Sequence, residues 1–190
     1  MSAPGPFATT LCNADRILVA LRHAKSSWST GAPDHDRPLS GRGRRDARAA
    51  GHWLAERGVL ADLSVVSTST RTQQTLAGIV AAGAETGEVR STRAVYDSDS
   101  TGLVEIVQEL PDTARTVLLV GHHPALEELV RTLARRVGNH DWWASMDVKF
   151  PTSAIAIIGF DGNWGDVEPG VGALLDYVVP RGTPKSDSPV

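Results

Sequence analysis

Short apolar runs alternate with amphipathic segments along most of this chain, and that alternation limits the fold more than any other feature. Residues 17–21, 63–66 and 116–120 are apolar at nearly every position, as strands buried on both faces must be. Each is followed by a stretch long enough to return through a helix. Ser40 is placed to cap a helix running towards Arg57, with Ala47, Ala50, Gly51, Leu54 and Ala55 on one face and Gly58 as its stop. Residues 70–82 and 101–110 read as two further helices, the second stopped by Pro111. Leu126, Leu129, Val130, Leu133, Ala134 and Val137 form the cleanest helical stripe. Residues 89–95, 154–160 and 172–179 add strands; the last two have no helical stripe between them, and Asp161-Gly162-Asn163 marks a turn. These elements predict an α/β fold, a three-layer α/β/α sandwich over a mainly parallel sheet with one antiparallel edge strand.

Three of the strands deliver reactive side chains at their carboxyl ends, where open α/β sheets bind ligands. The run 17–21 ends in Arg22-His23, the run 63–66 leads into Ser67-Thr68-Ser69-Thr70-Arg71-Thr72, and the run 116–120 ends in Gly121-His122-His123-Pro124. Arginine offers a rigid fork of donors that suits phosphate. A histidine attacks phosphorus only when neutral, and neighbouring arginines favour that state. Arg71 falls in the first turn of a helix, where the dipole disfavours a cation, which points to an anionic partner. Arg22, His23, Arg71 and one of the pair His122 and His123 therefore make a phosphoryl-transfer constellation: one nucleophile, two cationic clamps and a second imidazole. Lys25 and Ser26 either donate to the phosphate or shape the loop. Arg37 either contacts substrate or pairs with Asp34 or Asp36. Arg42, Arg44, Arg45 and Arg48 read as a solvated helix face.

These motifs carry a resemblance. Arg22-His23-Ala24-Lys25-Ser26-Ser27-Trp28, Asp36-Arg37-Pro38-Leu39-Ser40 with Gly43, residues 67–75 and Gly121-His122-His123-Pro124 stand in the order seen in the histidine phosphatase superfamily. The match is to its small SixA-like branch of phosphohistidine phosphatases, and Phe150-Pro151-Thr152-Ser153-Ala154-Ile155-Ala156 resembles the segment that opens that branch's late strand. The resemblance implies a phosphoglycerate-mutase-like fold and a covalent phosphohistidine on His23. It assigns the second imidazole to His122 rather than His123, with His122 expected as imidazolium and His123 starting the next helix. It also implies a substrate that is a phosphohistidine on a signalling or phosphotransfer protein. A small-molecule phosphomonoesterase is the nearest alternative, and a phosphate- or phosphoprotein-binding module the non-enzymatic one. Asp97, Asp99 and Glu105 lie where ester-cleaving relatives keep a general acid, but none stands in a recognisable motif. An alkoxide leaving group needs a proton donor, whereas the nitrogen of a phosphoramidate is readily protonated beforehand.

Length and composition narrow the remainder. A chain of 190 residues suits one domain, expected over 15–180, with loose tails at 1–14 and 181–190. A net charge of −3 argues against a general nucleic-acid or anionic-membrane binder. Cys12 is the only cysteine, no basic residue precedes Arg16, and no apolar stretch could span a bilayer, so the expected location is cytoplasmic. His35, His122, His123, Asp34 and Asp36 match no zinc spacing, and there is no Walker loop, so neither metal nor cofactor is expected.

Overall fold

The computed structural model describes residues 14–182, and through them strand and helix alternate as the apolar runs predict. The elements are β1 (Arg16–Arg22), α1 (Gly41–Glu56), β2 (Leu63–Ser67), α2 (Thr70–Val80), β3 (Glu88–Thr92), α3 (Ala94–Asp97), α4 (Ser100–Gln108), β4 (Thr116–Gly121), α5 (Ala125–Leu133), β5 (Ala134–Arg135), α6 (His140–Val148), β6 (Ile155–Phe160) and β7 (Gly172–Val178). Strand β1 sends alternate side chains to opposite faces. Ile17, Val19 and Leu21 pack with Ala50 and Leu54 of α1 and with Leu76 and Ile79 of α2. Leu18 and Ala20 pack on the other side with Leu103 of α4, Leu126 and Leu129 of α5, and Met146 of α6. The period of two in one strand thus produces the three layers.

The sheet order is β3-β2-β4-β1-β6-β7-β5. Strands β3, β2, β4 and β1 run parallel, β6 is antiparallel to both of its neighbours, and β5 is parallel to β7. The reversed strand was expected at an edge. It lies inside the sheet instead, because β7 and then the short β5 pair beyond it. All six residues of β6 are buried, as an interior strand requires. The edge strand β3 is exposed along most of its length and carries Glu88 and Arg90, charges that discourage pairing with a second chain.

Three other expectations shift. The strand expected over 89–95 stops at Thr92, and the turn of α3 takes over. The stripe from Leu126 to Val137 breaks after Leu133, where the chain leaves the helix to pair with β7. Helix α6 was not expected at all; it carries only a weak stripe, and its burial rests on Trp143 and Met146. Residues 1–13 and 183–190, most of the two expected tails, lie outside the described residues. Where the second tail was expected to begin, Arg181 Nη1 donates to Asp46 Oδ2 (3.0 Å) and Thr152 O (2.9 Å), and Gly182 N donates to Asp46 Oδ1 (3.1 Å). A buried carboxylate on α1 therefore holds two residues beyond the expected boundary.

The start of α1 fixes the loop that leaves β1. Ser40 Oγ accepts from Gly43 N (3.1 Å), and both Ser40 N and Oγ donate to Lys25 O. The loop backbone lies so close to the helix that a Cβ on Gly43 would meet Lys25 O at 2.0 Å. Neither backbone can yield without moving the residues after His23. Gly43→Ala is expected to destabilise the protein by about 1–3 kcal/mol, read as a lower denaturation midpoint, despite the higher helix propensity of alanine.

Candidate active site

The carboxyl ends of β1, β2 and β4 meet on one side of the sheet, and with α2 they gather the four side chains singled out above. His23 N donates to Gly121 O (3.0 Å), which extends the β1–β4 pairing past its last residue. Ala24 N donates to Thr75 Oγ1 (3.0 Å), and Thr75 Oγ1 donates to Arg71 O (2.6 Å). Ser153, at φ 63°, donates its N–H to Arg22 O (3.1 Å) and His23 O (3.2 Å) from the turn before β6. The backbone around His23 is thereby tied to three separate segments.

The rings of His23 and His122 lie 5.2 Å apart. His23 is 8% exposed, and its Nδ1 lies 2.7 Å from Ala24 O. A carbonyl can only accept, so Nδ1 carries the hydrogen and Nε2 presents its lone pair in the neutral ring. The ring is held neutral: burial brings its pKa down to about 3, with the charges of Arg71 and Arg22 and the nearby His122 adding to the effect against the Ala24 bond. His122 Nε2 pairs with Ser67 Oγ (2.8 Å), while its Nδ1 is buried without a hydrogen-bond partner among the described residues. Burial and then Arg71 bring its pKa down to about 4. The imidazolium expected of His122 belongs to its bond with a phosphoryl group; in the free protein burial, with the two arginines outweighing Asp34, favours the neutral ring. His123 is turned outward onto Glu127 (3.2 Å), next to the start of α5.

Arg22 Nη1 donates to Phe150 O, and Arg22 Nε is buried without a partner among the described residues. Arg71, 6% exposed, reaches Asp34 through Nη1 to the carbonyl and Nη2 to Oδ2 (2.9 Å). Asp34 also takes the Tyr96 hydroxyl on Oδ2 (3.0 Å) and Arg37 Nη1 on Oδ1 (2.8 Å). Burial pushes the Asp34 carboxyl up, but Tyr96, Arg71 and Arg37 outweigh it and hold it below the usual carboxylate range.

Of the residues expected in support, Ser26 and Arg37 are engaged with each other rather than turned to an open pocket. Arg37 Nη2 donates to Ser26 Oγ (2.6 Å), and Arg37 Nε donates to Ser27 O (3.1 Å). Arg37 thus pairs with Asp34, one of the two partners considered for it. Lys25 has an exposed side chain and contributes its carbonyl to the Ser40 cap. The three carboxylates in the general-acid interval have other duties or none at the cluster. Asp97 accepts from Arg93 (3.0 Å), Asp99 caps α4 through Gly102 N (3.0 Å), and Glu105 is exposed on α4. The side chain that reaches the cluster from this interval is Tyr96, whose ring stands edge-on to His122 at 5.4 Å. No sequence signal marked it, since an expected strand to Val95 gave no reason to turn residue 96 inward.

Fold and cluster together define a class: three-layer α/β proteins with a neutral imidazole set among arginines at the carboxyl ends of parallel strands. The family model of the histidine phosphatase superfamily (branch 1) matches residues 18–94. An uncharacterized protein of Mycobacterium tuberculosis is 40% identical over 164 residues, covering 85% of this chain and 100% of the relative. A protein of Nakamurella multipartitia bearing the name SixA superposes with a TM-score of 0.74 at 31% identity, over 87% of this chain and 96% of that one. A protein histidine phosphatase SixA complexed with tungstate shares the fold, with a TM-score of 0.70 at 22% identity over 86% of this chain and 97% of that one. The chain belongs to the histidine phosphatase superfamily, branch 1, whose members are phosphatases and mutases.

Proposed function

We propose that this protein is a metal-independent phosphatase that works through a covalent phosphohistidine on His23. Its proposed substrate is a phosphohistidine on a signalling or phosphotransfer protein. The observation that carries this reading is the His23–Ala24 contact, which fixes the hydrogen on Nδ1 and leaves the Nε2 lone pair free in a ring kept neutral. Nε2 attacks phosphorus, the bond from phosphorus to the leaving group breaks, and the phosphoryl group stays on Nε2. Water then attacks phosphorus, the P–N bond to His23 breaks, and inorganic phosphate leaves with the oxygen of that water. Arg22, Arg71 and His122 hold the phosphoryl oxygens through both steps. A phosphoryl dianion beside His122 opposes the field of the arginines, so the ring gains its second proton on binding and donates to the ligand.

The leaving group favours a phosphoramidate. Asp34, the carboxylate nearest the arginines, is held ionised and has no proton to give at neutral pH. Asp97 and Asp99 are committed elsewhere. An ester would need such a donor, whereas a histidine leaving group does not. The SixA name of similar structures and the tungstate in one of them, a tetrahedral oxyanion like phosphate, support the same substrate class.

The test is phosphate release, with EDTA present, from a histidine phosphotransfer domain charged with phosphoramidate and from p-nitrophenyl phosphate. Release from the phosphoprotein that ignores EDTA is expected. Release from the aryl phosphate alone would move the substrate to small esters. No release from either, with phosphate still bound, would make the protein a binding module.

A further inference from the structure

Among the described residues, Trp28 is the one tryptophan, tyrosine or phenylalanine left exposed, at 76%. It sits on the loop that follows His23, and it does not swing freely. The guanidinium carbon of Arg37 lies 3.3 Å from the centroid of its ring. Arg37 is itself buried and fixed by Ser26 Oγ, Ser27 O and Asp34 Oδ1. The second oxygen of the same Asp34 carboxylate holds Arg71. Two side chains therefore separate an exposed indole from an arginine of the proposed phosphate clamp.

One face of the ring is closed by Arg37 and the other is open. A tryptophan left in water forgoes the burial that usually stabilises it, and a ring already held by a stack loses little freedom when something covers it. The cation behind the ring draws on its electron density. The open face is then suited to a flat neutral or electron-rich group, such as a peptide plane or an aromatic ring, and poorly suited to a second cation. A phosphoryl group on a small alcohol ends at the pocket. One on a protein side chain brings polypeptide with it, and Trp28 is the exposed ring tied to the arginine clamp through Arg37 and Asp34.

We infer that Trp28 is the platform on which the polypeptide carrying the phosphoryl group stacks, so that it sets the preference for protein substrates. This role rests on the protein-substrate reading above. The experiment compares wild type, Trp28→Ala and Trp28→Phe on the charged histidine phosphotransfer domain and on p-nitrophenyl phosphate. Trp28→Ala is expected to raise KM for the protein about tenfold, so that the ratio of the two kcat/KM values falls by the same factor. Trp28→Phe should restore most of that ratio. Equal losses on both substrates would overturn the inference, since Trp28 would then only brace Arg37. So would an unchanged ratio with no loss on either. Wild-type protein that releases nothing from the phosphoprotein would remove the substrate reading first and this role with it, a failure visible before any variant is measured.

Discussion

His23→Ala is expected to lower kcat at least about 10³-fold, because no second group in the cluster can take over covalent attack. His122 is the nearest imidazole, but its Nε2 is engaged with Ser67 Oγ and its Nδ1 is buried out of reach of a substrate. Arg22 and Arg71 supply charge without a lone pair. Wild-type protein mixed rapidly with substrate and quenched in base should carry an acid-labile phosphoryl group, and His23→Ala should carry none. The variant should still bind phosphate or tungstate, since Arg22, Arg71 and His122, the proposed holders of the phosphoryl oxygens, all remain. The ring is buried, so a thermal melt must accompany the assay to separate lost chemistry from lost structure. A loss below tenfold in a folded variant would mean direct attack by water or a different nucleophile.

The parts of this site legible in the sequence are those delivered by strand ends. Arg22, His23 and His122 follow apolar runs, so their position at the carboxyl edge of the sheet comes from the run itself. Arg71 was legible because a cation in a first helical turn runs against the dipole. The network around Asp34 was only partly legible. Its pairing with Arg37 is local in sequence, but its contacts with Arg71 and Tyr96 join residues 37 and 62 positions away. Pattern reading follows one element at a time and has no view of a loop folding back over a helix start. The same limit explains the reversed strand: β6 reads as a strand from its composition, but its place between β1 and β7 depends on pairing. Its six consecutive buried residues, all apolar or glycine, did carry the hint that it is not an edge.

Acidification from pH 7 to pH 5 should cost the fold about 4 kcal/mol through His23 and His122 together. Their native pKa values, about 3 and about 4, lie below the ordinary 6.5. Between those values and 6.5 the unfolded chain binds protons that the native state refuses. Stability therefore falls as pH drops through that window, by about 2 kcal/mol for each ring at pH 5. The cause is the arrangement that serves the chemistry: burial and two arginines that keep the nucleophile unprotonated also make its protonation incompatible with the native site. Denaturant midpoints at the two pH values measure the loss, and His122→Asn should remove close to half of it. Saturating tungstate should also shrink it, because a bound dianion supplies the charge that His122 lacks. If the loss between pH 7 and pH 5 is the same in His122→Asn and His23→Ala as in wild type, neither ring carries it and the account fails, since the lowered pKa of Asp34 places its own loss, of the same sign, below that window.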